Sequence, residues 1–223
     1  MTRLRWFVCL ILLLCLFGCR PRMLPVSSLP PIIKTFEGYA SILVASNEEA
    51  SRSKFSFVVR PPSEARMDVS DAIGRTISQV LIVQSQSFLI IPRKKVFWEG
   101  QEEEVFRKAL GFSLSLKELT SIFLGREELL SMEKEGTDWE FSRDSKGRIF
   151  RGHKGDQEFE IQAFSGQTSL LRIIKFSCGE IKTTIRLLGI DFNRPVKESA
   201  FALDFLERFD KKTWPEIEAL IQR

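Results

Sequence analysis

Alternation of apolar and polar positions runs through most of this chain. Residues 36–45 read as a first strand, with Ser46-Asn47-Glu48-Glu49 as the turn after it. Over residues 52–60 the period is two: Phe55, Phe57 and Val59 fall on one side, Lys54, Ser56 and Arg60 on the other. Pro61-Pro62 ends that strand, and Ala65, Met67 and Val69 then alternate with Arg66 and Asp68. After a loop at residues 70–75, strands are expected over 76–84, 88–91 and 95–98. Such short connections between consecutive strands imply an antiparallel meander.

The period then changes. Glu102-Glu103-Glu104 opens a short helix, Arg107 and Lys108 occupy its last turn, and Gly111 stops it, a charge order that suits the helix dipole. Ser115 is an N-cap with Glu118 three residues on, a capping box, and Leu114 and Leu119 fit a hydrophobic staple across it. Leu116, Leu119, Ile122 and Phe123 give this second helix one apolar face, and Gly125 ends it; residues 126–134 read as another helical turn or two. Strands resume at 139–142, 149–154, 159–163, 170–177 and 181–188, with hairpin turns at Asp144-Ser145-Lys146-Gly147 and Gly155-Asp156. Segments 80–83, 170–176 and 181–188 carry apolar residues on both faces. One face packs on neighbours, and the other must meet helices or a ligand.

Near the C-terminus Thr213 and Glu216 form a second capping-box pattern, with Pro215 in the permitted first turn. Trp214, Ile217, Leu220 and Ile221 share one side of that helix. The stripe reads as core packing rather than a membrane face, because the polar side carries Glu216 and Glu218 instead of a basic cluster.

The first nineteen residues have a different pattern. Arg3 and Arg5 precede an uncharged apolar run over residues 6–17, and Gly18 stands directly before Cys19. A dozen apolar residues span about 18 Å, short of a ~30 Å bilayer core, so the layout is that of a secretory signal. Leu16-Phe17-Gly18-Cys19 resembles the lipobox of bacterial lipoproteins, whose cysteine is lipidated and becomes the mature N-terminus, although Phe17 is larger than the residue usual there. The alternative is an ordinary signal peptide or an uncleaved anchor with Cys19 incidental. Arg20, in place of the Asp that often marks retention at the inner membrane, points to the outer membrane. The resulting division is a lipoprotein signal peptide over 1–18, a lipidated N-terminus and Pro- and Ser-rich tether over 19–34, a domain over 35–191 with a helical insert at 102–134, and an extension over 192–223 with a terminal helix.

Composition narrows the chemistry. Hydrophobic residues at 43% and charged residues at 28% describe a globular chain. The net charge of +4 falls to +2 without Arg3 and Arg5, and with no long basic block nucleic acid is excluded as a partner. Cys9 and Cys15 lie in the signal and Cys19 would carry lipid, which leaves Cys178 as a lone thiol and no internal disulfide. Nineteen Phe stand against a single Tyr, so large surfaces are meant to stay dry, as a core or as a cavity.

No catalytic constellation assembles. His153 sits between glycines and basic residues at a hairpin end, Cys178 precedes a turn glycine, and the carboxylate runs at 102–104 and 133–135 read as solvated charge. Ile73-Gly74-Arg75 is a single-glycine turn, not a phosphate cradle. The expectation is a protein that is not an enzyme and that holds no cofactor or metal.

Three segments, in order, resemble one family. Residues 38–66 resemble a first hairpin in which Gly precedes a small and apolar strand, followed by a Phe-rich strand leading to Arg. Residues 67–81 resemble a strand, an exposed loop with an apolar residue and Gly at its tip, and a strand. Leu110-Gly111 through Leu116, Leu119 and Leu124-Gly125 resembles a helical lid closed by Leu-Gly at each end. These are features of outer-membrane lipoprotein receptors of the LolB type, in the wider LolA/LolB-like fold; residues 192–223 have no counterpart there. The resemblance implies a mainly β, α+β fold: an incomplete, curved antiparallel barrel with a helical lid over an apolar cavity. It implies a lipid-anchored, periplasm-facing, monomeric receptor that takes lipoprotein acyl chains, receives them from a LolA-like periplasmic carrier and inserts lipoproteins into the outer membrane. Phe57, Met67, Leu81, Phe88 and Ile90 are expected in the sheet wall of the cavity, with Leu119, Ile122 and Phe123 beneath the lid. Ile73 matches the apolar loop residue that contacts the bilayer; packing at its turn is the alternative. The rival functions are a structural or assembly lipoprotein with a filled half-barrel, or a carrier of another lipid.

Overall fold

The computed structural model describes residues 29–47, 49–71, 73–125 and 139–221; Cys19, the rest of the signal and residues 126–134 lie outside them. The first hairpin sets the pattern. Strand β1 (Phe36–Ala45) pairs antiparallel with β2 (Ala50–Arg60), and β3 (Glu64–Ser70), β4 (Thr76–Val83), β5 (Gln86–Ile91) and β6 (Val96–Gly100) follow as a meander. Helices α1 (Glu102–Leu110) and α2 (Leu116–Leu124) then carry the chain to the far edge. A second meander, β7 (Glu140–Arg143), β8 (Ile149–Lys154), β9 (Gln157–Phe164), β10 (Leu171–Cys178) and β11 (Ile181–Phe192), returns to pair β11 with β1. With the short β12 (Asp210–Lys211) the result is one curved, unclosed sheet of 12 strands, ordered β12-β6-β5-β4-β3-β2-β1-β11-β10-β9-β8-β7.

The two meanders meet at the seam between β1 and β11. Their register shifts at Tyr39/Ala40, and a bulge of this kind increases local twist. A methyl group on Gly38 would lie 2.2 Å from the Gly189 carbonyl oxygen, so the two strands approach closely only because that position has no side chain.

Alternation in β2 and β3 is as expected: Phe55, Phe57, Val59, Ala65, Met67 and Val69 are all buried on the face that meets α1 and α2, here the inner face. In β4 and β5 the same parity sends Val80, Ile82 and Leu89 inward. Leu81, Phe88 and Ile90 point the other way. These outer residues are covered by residues 196–209, where Phe201 is buried and Phe205 and Phe209 pack beside it. Arg60 ties that cover down, with its guanidinium 2.9 Å from Glu198 and 5.0 Å from the Phe201 ring centroid. The other segments expected to be apolar on both sides differ, since Arg172, Lys175 and Arg186 expose the outer face of β10 and β11.

Beyond residue 209 the chain turns around the edge of the sheet. β12 pairs in parallel with β6 and shields two residues of its backbone, which blunts an otherwise open edge. Helix α3 (Trp214–Ile221) then reaches the inner side, where Trp214 meets Trp98 at 5.4 Å between ring centroids and Ile217 is fully buried with Ile91 and Val96. The expected stripe is therefore core at Ile217, while Ile221 stays exposed. Only half of the second capping box forms: the Thr213 N–H and hydroxyl both donate to Glu216.

Candidate functional site

The inner face of β1–β3 and the apolar face of α2 enclose a hollow. Phe57, Met67, Leu119 and Phe123, four of the residues named from the sequence, line it together with Phe55 and Val59. The alternation of β2 already placed Phe55 and Val59 beside Phe57. Leu110, Phe112 and Leu116 close it from the helical side. Ile122 is buried in the same core but does not border the space. Leu81, Phe88 and Ile90 are excluded from it by parity: they belong to the outer layer, across the thickness of the sheet.

Aromatic contacts join sheet to helix. Phe57 lies 6.4 Å from Phe123, edge to face, and 6.1 Å from Phe36. Packing is close enough that the centre of a water-sized sphere can move through only about 20 Å³, room for about one water molecule. In this conformation the hollow is nearly filled by the protein's own side chains.

A single polar group breaks the apolar lining. Thr120, 3% exposed, borders the hollow, and its hydroxyl is a buried side-chain group without a hydrogen-bond partner among the described residues. A buried hydroxyl left unpaired costs about 1–3 kcal/mol, so one at the wall of a greasy space is a donor available to a carbonyl that enters.

Polar ties hold α2 in place. The capping box forms: the Glu118 N–H donates to the Ser115 hydroxyl at 3.1 Å, and the Ser115 N–H to the Glu118 carboxylate at 2.9 Å. The other Glu118 oxygen accepts from the Trp139 indole at 2.7 Å and from the Lys154 ammonium at 2.9 Å, which links the helix to the second meander. Burial works to push the Glu118 carboxyl up, but the hydrogen bonds from Ser115, Lys154 and Trp139 outweigh it and hold the group below its ordinary value. Glu102 goes the other way: burial raises it even though its carboxylate accepts the Leu116 N–H. At the far end Ser169 donates to the Leu124 carbonyl at 3.1 Å.

Ile73 projects from the loop between β3 and β4 and is 73% exposed, so it does not pack at its turn. The loop itself is firmly built. Asp71 accepts the N–H groups of Ile73 at 3.0 Å and Arg75 at 2.9 Å and pairs with the Arg75 guanidinium, while Gly74 takes the left-handed conformation at φ 83°. Elsewhere, His153 is exposed on β8. The Cys178 thiol lies 3.8 Å from Asp156, and burial together with that carboxylate pushes it up, the reverse of an activated nucleophile. No cluster of His, Cys, Asp and Glu suited to a metal ion occurs among the described residues.

No family model matches the sequence, and no curated protein matches it. Solved structures do match the fold. A LolA superfamily protein from Nitrosomonas europaea superposes with a TM-score of 0.55 at 9% identity, over 80% of this chain and 93% of that one. A DUF1329 family protein from Desulfovibrio piger gives 0.54 at 7% identity, over 79% and 92%. An outer membrane lipoprotein-sorting protein domain from Vibrio parahaemolyticus gives 0.50 at 10% identity, over 78% and 92%. The fold is LolA-like. At these identities the likeness is one of architecture, and the chemistry of the site must be argued from its own residues.

Proposed function

We propose that this protein is a lipid-anchored carrier, tethered through Cys19 to the periplasmic side of the outer membrane, that shelters lipoprotein acyl chains beneath α2 and assists their insertion. The observation that carries the reading is the apolar hollow between sheet and helix, with the Thr120 hydroxyl, unpartnered among the described residues, on its wall. Hydrocarbon gains about 0.8 kcal/mol per CH₂ on leaving water, so a dry wall of Phe and Leu competes with solvent for a chain in transit. A carbonyl at the head of that chain would satisfy Thr120. The exposed Ile73, held on a stiff loop, is suited to touch the bilayer that receives the cargo. A LolA-like periplasmic carrier would deliver it. The similar Vibrio structure, a lipoprotein-sorting protein domain, agrees with this reading.

A second reading is favoured by one observation. The space of about 20 Å³ is what a structural lipoprotein with a filled half-barrel would show. Binding of an apolar fluorescent probe to the protein purified without detergent separates the two. Saturable binding, displaced by an acylated peptide, supports the carrier; a probe that never binds, at any temperature below unfolding, leaves the filled half-barrel. Mass spectrometry of material that co-purifies distinguishes lipoprotein from other lipid cargo.

A further inference from the structure

A second recess lies on the inner face, beside the hollow and far roomier. It is a groove of about 470 Å³, against about 20 Å³ for the hollow. Ile42, Val69, Leu89 and Ile91 form its floor, with Leu110 of α1 and Leu220 of α3 at the sides. Its charged lining is all of one sign. Arg93 and Lys94, from the 3-10 turn Pro92–Lys94 between β5 and β6, meet Lys108 from the last turn of α1, and no acidic residue among the described residues borders the groove. All three cations are exposed.

Sheet topology brings these cations together. Ser70 pairs with Thr76 and Gln79 with Ile90, so the 92–94 turn leaves the sheet at the same end as the Ile73 loop. Exposed Ile77 and Ile221 border the groove there. A neutral acyl chain has no use for three cations, and a free phosphate has no use for an apolar floor. An amphiphile with an anionic head uses both.

We propose that this groove binds an anionic phospholipid, with an acyl chain along the floor and the phosphate against Arg93, Lys94 and Lys108. The inference rests on the carrier reading but concerns a different recess and a charged headgroup.

Trp98 and Trp214 supply the signal, since Lys108 Nζ stands 4.4 Å from the Trp214 ring centroid and the two indoles are 5.4 Å apart. The full chain is titrated with two lysolipids carrying the same brominated acyl chain, one headed by phosphoglycerol and one by phosphocholine. The phosphoglycerol lipid should quench tryptophan fluorescence at about tenfold lower concentration, an advantage that shrinks with salt. Combining Arg93→Gln, Lys94→Gln and Lys108→Gln should erase the advantage, weakening the phosphoglycerol lipid far more than the phosphocholine lipid, whose choline already offsets its phosphate charge. Equal quenching by the two lipids, or a preference that survives the triple substitution, overturns the proposal. If neither lipid quenches while an acylated peptide still displaces the apolar probe, the groove proposal fails alone. If the peptide fails as well, the carrier reading falls with it.

Discussion

The sheet carries an apolar layer on each face of β4 and β5, and the two layers are closed in different ways. The outer one is sealed by residues 196–209, which lay Phe201 over Leu81, Phe88 and Ile90 and anchor through the Arg60–Glu198 pair. The inner one meets α1 at β4 and β5 and runs on to β1–β3, where the amphipathic α2 closes it; at the ends of α2 Glu118 accepts hydrogen bonds from Trp139 and Lys154, and Ser169 donates to the Leu124 carbonyl. The hollow and, among the described residues, the unpartnered Thr120 hydroxyl both lie on the inner side. Two sides of one sheet thus show what separates a core from a site: a core satisfies every group it buries, whereas a site leaves something for a ligand to complete.

Large-to-small substitutions test that contrast most severely. Phe88→Ala in the outer layer and Phe123→Ala in the inner one should each cost about 3–5 kcal/mol in urea unfolding, as buried Phe truncations do. Probe binding should separate them. Phe123→Ala enlarges the hollow and should raise probe affinity several-fold; Phe88→Ala should leave it unchanged. An equal rise in both variants would mean that loosening, not the hollow, admits the probe, and the distinction between the layers would be lost.

The same pair of faces shows how far the sequence reaches. Strand positions, the helical interruption and the Ser115–Glu118 cap were legible because period and capping chemistry are local. Parity in β2 and β3 was legible too, since Lys54, Ser56 and Arg60 mark the opposite face of β2 from Phe55, Phe57 and Val59, and Arg66 and Asp68 that of β3. In β4 the run Val80-Leu81-Ile82 is apolar on both faces, so parity cannot say which side faces the hollow. The deciding partner of Leu81 is Phe201, far along the chain. For the same reason Arg93, Lys94 and Lys108 gave no joint signal: they come from separate elements, and only the sheet order makes them neighbours. Thr120 reads in sequence as an ordinary polar helix residue.

The next effect concerns the ties on the inner cover. Glu118→Gln should cost about 1–2 kcal/mol at neutral pH, through the lost charge on hydrogen bonds from Lys154 and Trp139. Because the folded state holds the Glu118 carboxyl below its ordinary value of 4.5, its contribution is present above that value and lost as pH falls through the folded one. Glu102, raised by burial, has the opposite sign: its ionised form costs stability at neutral pH, and protonation relieves that cost. Denaturation at neutral and acid pH should therefore show the Glu118→Gln deficit shrinking in acid. A constant deficit would mean that Glu118 acts by packing alone.

Thr120→Val is smaller and changes sign between assays. Replacing the unpartnered hydroxyl by a methyl of similar shape should stabilise the free protein by about 1 kcal/mol, since a buried polar group no longer goes unmet. Affinity for an acylated peptide should fall several-fold while affinity for a pure hydrocarbon probe holds. Should both ligands weaken alike, the hydroxyl is not reading a carbonyl.

Ile73→Glu should barely register in stability, within about 0.5 kcal/mol, because an exposed side chain on a loop braced by Asp71 and Gly74 contributes almost nothing to packing. Probe binding should also be unchanged, as the loop borders neither recess. What should suffer is transfer of an acylated cargo from the protein to vesicles, because a carboxylate at the tip resists entry into hydrocarbon where isoleucine favours it. That pattern, with folding and binding intact and delivery impaired, would place the membrane contact outside both apolar layers. Unimpaired transfer would remove Ile73 from the mechanism while leaving the contrast between a sealed face and a fillable one as it stands.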